Sequence, residues 1–160
     1  MARPKTSWGD AAAMLAEAGV EAVTAFYGRF TGDDERAALT VPMRLQDAVT
    51  RKDADAFADV FAENGSLVQY DDELKNREEI RAYMKAAFAG PFKDNDVAGR
   101  SLRLSFLTDD VALLTEEAGV LLPGEQKAAP ERLFYATWVI HRVAPGRLEL
   151  LSFHQSPIHS

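Results

Sequence analysis

Cysteine is absent from this 160-residue chain, which excludes disulfides, thiolate nucleophiles and Cys-ligated zinc. Histidine is scarce: the three are His141, His154 and His159. They form no His-x-His or HExxH pair, and the acidic stretch YDDELKNREE lacks the glycine and terminal Glu positions of a calcium loop, so no metal is expected. A glycine-rich phosphate cradle and a GxSxG elbow are both missing, so no cofactor is expected and a dinucleotide fold for flavin or nicotinamide finds no support. Long apolar runs are missing too. None approaches the roughly 18 residues of a membrane span, and Asp10 and Glu17 interrupt the segment after MARPKTSWGD, which makes it a poor signal peptide and a cytoplasmic chain the expectation. Basic charge is in deficit, with 18 Lys and Arg against 25 Asp and Glu and a formal charge of −7. That balance argues against nucleic acid and against an anionic membrane surface.

The hydrophobic residues, 47% of the chain, are enough for one compact domain. Their spacing changes along the chain. Residues 8–30 read as one amphipathic helix, with Leu15, Ala18, Ala22, Phe26 and Phe30 in a stripe and Ser7 as its cap. A second helix is predicted from about Glu35 to Lys52, with Pro42 in its first turn or at a kink. A third is predicted over 53–65, capped by Asp53 and stopped at Asn64–Gly65. SLVQY follows as a short strand, and NREEIRAYMKAAFAGP as a helix capped by Asn76 and closed by Gly90–Pro91. From residue 102 the period becomes two: LRLSFL, VALLTEEAGVLL, RLFYATWVIHRV and LELLSFHQS read as an antiparallel meander. Helices first and strands after make an α+β fold. In the last hairpin, Val143 opposite Leu148 sets Arg142 against Glu149 and Trp138 against Phe153, with Thr137 beside His154 on the other face.

Glu116 is the anomaly. It is the lone polar residue in the row Ala112, Leu114, Glu116, Ala118, Val120, Leu122, while Glu117 belongs to the alternate row. A carboxylate facing an apolar core needs a partner or a raised pKa, and a raised pKa suits proton transfer near neutral pH. Strand twist or an edge position that leaves Glu116 wet is the competing reading. His154, mid-strand, could bind a ligand carbonyl or shuttle a proton; it could equally be a half-buried imidazole bonded to Thr137. Whether His154 shares a face with Glu116 depends on how 111–122 pairs with 132–143. Tyr27 and Tyr70 carry hydroxyls that need partners if buried.

The pieces ADAFADVFAENGSLV, REEIRAYMKAAFAGPFK, VALLTEEAGVLLPGE, APERLFYATWVI and SFHQSPI, in this order, resemble the SgcJ/EcaC group of SnoaL-like proteins, of the nuclear transport factor two-like superfamily, over roughly residues 36–158. The resemblance implies a cone: a curved antiparallel sheet wrapped around N-terminal helices, with an apolar pocket at the open end and a homodimer formed through the sheet. On that reading, 1–34 is a helical extension and 35–160 the cone domain. The group serves enediyne and related polyketide antibiotic biosynthesis, so the implied ligand is a hydrophobic polyene or polyketide intermediate, and the implied partner a polyketide synthase or another enzyme. The expected chemistry is cofactor-free acid/base catalysis of a cyclase or isomerase kind. Glu116 acts as base or acid, His154 and Tyr70 as donors to an oxyanion, and Trp138, Thr137 and Tyr27 as further ligand contacts. The alternatives are a binding module that sequesters the polyene for a partner enzyme and a dimer with a vestigial pocket.

Overall fold

The computed structural model describes residues 7–69 and 71–158. Its elements run α1 (Ala11–Ala18), α2 (Thr24–Tyr27), α3 (Asp33–Arg51), α4 (Ala54–Asp59), β1 (Phe61–Gln69), β2 (Asp72–Leu74), α5 (Arg77–Ala89), β3 (Asp96–Phe106), β4 (Val111–Leu121), β5 (Leu133–Ala144) and β6 (Arg147–Pro157), with a 3₁₀ turn at Pro130–Arg132 before β5. The strands form one curved sheet in the order β2-β1-β6-β5-β4-β3. The α+β cone is therefore as expected, with one refinement. β1 lies parallel to β6, and the other pairs are antiparallel.

The helices pack on the concave face of the sheet. α3 carries the expected Pro42 in its interior and buries Leu39, Val41, Met43 and Leu45. α5 begins where Asn76 Oδ1 accepts from the Glu79 N–H at 2.9 Å, and the Glu79 carboxylate accepts from the Lys75 N–H at 2.7 Å. The first bond satisfies a donor that the first helical turn leaves orphaned, and the second ties the residue before the cap to that turn. The core is continuous from Trp8 through α3 to the inward residues of β4, β5 and β6.

Two helical expectations are corrected. The segment 8–30 is not one helix. Asp10 rather than Ser7 caps α1, accepting from the Ala13 N–H, and Gly19 ends it at φ 70°, where glycine carries no side-chain penalty. Ala18 and Ala22 are exposed, while Trp8 is buried against the Phe106 ring, 5.0 Å between centroids. The helix predicted over 53–65 stops at Asp59, because β6 recruits the next residues: the Leu150 N–H donates to the Val60 carbonyl and Phe61 pairs with Leu150.

The last hairpin keeps the predicted register at its far end, with Trp138 opposite Phe153 and Thr137 opposite His154. Near the turn it slips by one, so that His141 rather than Arg142 faces Glu149. Register shifts between Arg142 and Ala144 and again between Val139 and Ile140 cancel. An extra residue at Val143 in one strand is matched by one at Leu151 in the other.

Candidate functional site: a polar row across an apolar sheet face

Strand alternation decides which of the predicted residues meet. β4 sends Ala112, Leu114, Glu116 and Ala118 inward, β5 sends Phe134, Ala136, Trp138 and Ile140, and β6 sends Leu150 and Phe153. Glu116 is therefore buried, at 4% exposure, and Trp138 beside it at 2%. The same alternation corrects two expectations. With Trp138 and Phe153 inside, their neighbours Thr137 and His154 must lie outside. Both are exposed, and Thr137 is flanked by Thr115 and His154 on the convex face. Tyr27 also misses the cavity. It is half-buried, with the Arg36 guanidinium 5.1 Å over its ring, and its neighbour Phe26 lines the cavity instead. Tyr70 and His159 lie outside the described residues.

The lateral neighbours of Glu116 form a row. Ser101, Glu116 and Ala136 pair across β3, β4 and β5, and Ala136 pairs with Gln155 on β6. The parallel register sets Leu67 beside Phe153 and Val68 beside His154, and the next residue of each strand, Gln69 and Gln155, lines the same cavity. The row Ser101–Glu116–Ala136–Gln155–Gln69 thus crosses the concave face. It runs between two apolar rows, Leu104–Leu114–Trp138–Phe153–Leu67 and Gly99–Ala118–Phe134. Among the described residues, four buried side-chain polar atoms lack a hydrogen-bond partner: Gln69 Nε2, Ser101 Oγ, Glu116 Oε2 and Trp138 Nε1. Three are on this row and the fourth is on the row beside it. Orphaned polar atoms are rare in cores, and a cluster of them marks a place built to meet something else.

The space over this row is a cavity of about 100 Å³. Helical residues Pro42, Leu45, Phe57, Met84 and Phe88 close it from above, and half-buried Gln46, Asn95 and Asp96 line its more exposed side. Gly99 makes room for the acid. A Cβ there would lie 2.9 Å from Glu116 Oε2 and 3.2 Å from the Ala118 Cβ. A glycine inside a strand signals such a close approach, but the predicted strand began at residue 102 and left Gly99 in a loop. Gln69, Ser101 and Gln155 went unnoticed for another reason: no local pattern in the sequence shows that five strands bring them into line.

Desolvation pushes the Glu116 carboxyl up to about 8, and the Trp138 indole N–H pulls against that rise. The two side chains are diagonal neighbours across β4 and β5, and neither buried atom completes a well-formed hydrogen bond. Asp96, the other carboxylate on the cavity wall, is already held by the Thr50 hydroxyl at 2.8 Å. Glu116 can therefore keep or release a proton near neutral pH in an apolar setting, with the Trp138 indole N–H diagonal to it and the Gln69 carboxamide farther along the same cavity wall. Among the described residues no three His, Asp or Glu side chains cluster as metal ligands.

A curved sheet packed with helices around an apolar cavity defines the class as the cystatin-like α+β fold. Within that class the chain belongs to the SnoaL-like domain family, whose model matches residues 40–160. Solved structures share the architecture. A domain of unknown function with a cystatin-like fold from Nostoc punctiforme superimposes with a TM-score of 0.72 at 22% identity, covering 81% of this chain and 80% of its own. A ketosteroid isomerase-like protein from Erwinia carotovora superimposes with a TM-score of 0.61 at 13% identity, covering 77% of this chain and 95% of its own. No curated protein matches this sequence.

Proposed function

We propose that this chain is a cofactor-free acid/base catalyst, with Glu116 as the group that moves the proton. The observation that carries this reading is the buried carboxyl, 4% exposed, in an apolar cavity that no basic residue lines among the described residues. Trp138 Nε1 and Gln69 Nε2, rather than His154, supply the donors for a carbonyl or enolate oxygen. A carboxyl whose pKa sits near the working pH is effective in either direction of transfer. The ketosteroid isomerase-like neighbour supports an isomerase-like step, and the resemblance to the SgcJ/EcaC group supports a polyene or polyketide intermediate of enediyne-type antibiotic biosynthesis as substrate. At about 100 Å³ the cavity takes the reacting end of such a molecule, and the remainder would extend past Asn95 and Asp96 into solvent.

A small probe tests the chemistry. Conversion of cyclohex-3-enone to its conjugated isomer moves one proton from the α to the γ carbon and is followed by ultraviolet absorbance. The wild-type chain should accelerate it, and Glu116→Gln should lose roughly 10²–10⁴-fold in rate. A base makes the rate rise with pH through about 8 and an acid makes it fall. Unchanged turnover in Glu116→Gln removes the residue from the mechanism.

A second reading is sequestration of a reactive ligand for a partner enzyme. It draws on the outward placement of His154 and Thr137, which leaves Glu116 without a neighbouring imidazole or hydroxyl from β5 and β6. There, Glu116→Gln would be tolerated while Ala118→Trp, which fills the cavity, would abolish function.

A further inference from the structure

On the opposite side of α3 from the cavity lies a second cleft of about 330 Å³, bounded by α1, α3, α5 and the β5–β6 hairpin. Pro42, Leu45, Gln46 and Val49 of α3 face the first cavity, whereas Thr40 and Arg44 face this one, as a 3.6-residue period requires. Three arginines line it: Arg44, Arg77 and Arg147. Among the described residues none of them forms an ion pair, whereas Arg51, Arg81, Arg100, Arg132 and Arg142 all do. Arg77 is anchored by Nε and Nη2, which both donate to the Phe61 carbonyl at 3.0 and 2.7 Å, leaving Nη1 unengaged. Arg44 is half-buried with no hydrogen bond. Burial works against its charge and Asp59 supports it.

The acids around the cleft are largely committed elsewhere. Asp59 accepts from Arg81 at 3.2 Å, Glu149 is 3.2 Å from His141 Nδ1, and Glu17 stands exposed on α1. A desolvated guanidinium that no carboxylate contacts is costly, and its planar fork matches a carboxylate guest. Three carboxylates at the rim disfavour a doubly charged guest, and Met14, Ala18 and Leu148 offer an apolar wall. We propose that this cleft binds an organic acid, its carboxylate on Arg44 and the free edge of Arg77, its apolar body against Met14, Ala18 and Leu148. The α1 wall of the cleft lies before residue 40, where the family match begins, while Arg44, Arg77 and Arg147 lie within it.

Isothermal titration of the full chain with hexanoate, hexanamide and inorganic phosphate tests this. Hexanoate should bind at one site, hexanamide should give no signal, and phosphate should bind at least about tenfold more weakly. Arg44→Gln removes a half-buried charge and strands no partner, so the fold should survive while hexanoate affinity drops at least about tenfold. Arg147→Gln, at the exposed rim, should weaken hexanoate less. Equal binding of hexanamide, phosphate binding as tight as hexanoate, or hexanoate affinity unchanged in Arg44→Gln would overturn the proposal. So would hexanoate binding that falls with Ala118→Trp but not with Arg44→Gln, because that result places the acid in the sheet cavity.

Discussion

Glu116 and Glu117 are adjacent in sequence and opposite in fate. Glu117 points to the convex face, 3.5 Å from Arg100 and partly in water. Glu116 points to the concave face, with no cation near it. The backbone pleat alone separates them. The same contrast holds across the sheet, where Trp138, Phe153 and Leu114 oppose Thr137, His154 and Thr115. One face excludes water and turns a carboxyl into a group that titrates near neutrality, while the other leaves its polar groups in solvent. Location in the pleat, and not residue type, decides which polar side chain can do chemistry here.

The contrast can be broken most severely at Trp138. Its ring is buried and meets the Phe153 ring edge-on, 4.7 Å between centroids. Trp138→Ala should cost roughly 3–5 kcal/mol in urea unfolding, while Thr137→Ala, one residue away, should stay within about 0.5 kcal/mol. Similar losses at both positions would mean that the outer face is covered in solution.

The pH dependence separates the two glutamates next. In the folded chain the Glu116 carboxyl holds its proton to about pH 8, whereas unfolded it ionises near 4.5. Folding therefore takes up a proton between those values, and stability falls as pH rises from about 4.5 to about 8, then levels. The ceiling on that loss is roughly 5 kcal/mol, and relaxation around a newly charged buried group should bring it to roughly 2–3 kcal/mol. Glu116→Gln should flatten this slope and be the more stable protein at pH 9, and Glu117→Gln should not. A wild-type slope that persists in Glu116→Gln assigns the titration to another group.

A smaller effect is expected at Gly99, whose missing side chain leaves the space that Glu116 fills. Gly99→Ala brings a methyl to 2.9 Å from the carboxyl oxygen and should cost roughly 1–3 kcal/mol. Ala136→Gly, beside Glu116 on its own row and without a clash, is the milder comparison. If Gly99→Ala is neutral, the carboxyl has another place to go and is not fixed in the cavity.

What the sequence showed and what it hid follow the range of the interactions involved. α5 was legible because Asn76, Glu79 and Gly90 are local punctuation. Glu116 was legible because one polar residue broke an apolar period of two. The helix predicted over 8–30 failed at Ala18 and Ala22, since alanine spacing fits a buried stripe without requiring one. His154 was misplaced even though its partner Thr137 was correctly assigned: once Trp138 faces the core, Thr137 and everything paired with it face away. Gln69, Ser101 and Gln155 join Glu116 only through lateral pairing of strands up to 86 residues apart, as in the Ser66–Ser152 contact at 3.1 Å, and no window of the chain contains that information.

The smallest effect expected is therefore at the residue that looked most like chemistry. His154 pairs with Thr137 and Val68 on the convex face and is exposed. An exposed strand residue without a buried partner contributes little, so His154→Ala should change stability by no more than about 0.5 kcal/mol. It should also leave the isomerisation rate and its pH profile unchanged, because a side chain on the far side of a sheet cannot touch a ligand held on the near side. A fall in rate with altered pH dependence would mean that the ligand, or a second copy of the chain, engages the outer face. In that case the division between an active and an inert side of the sheet would not hold.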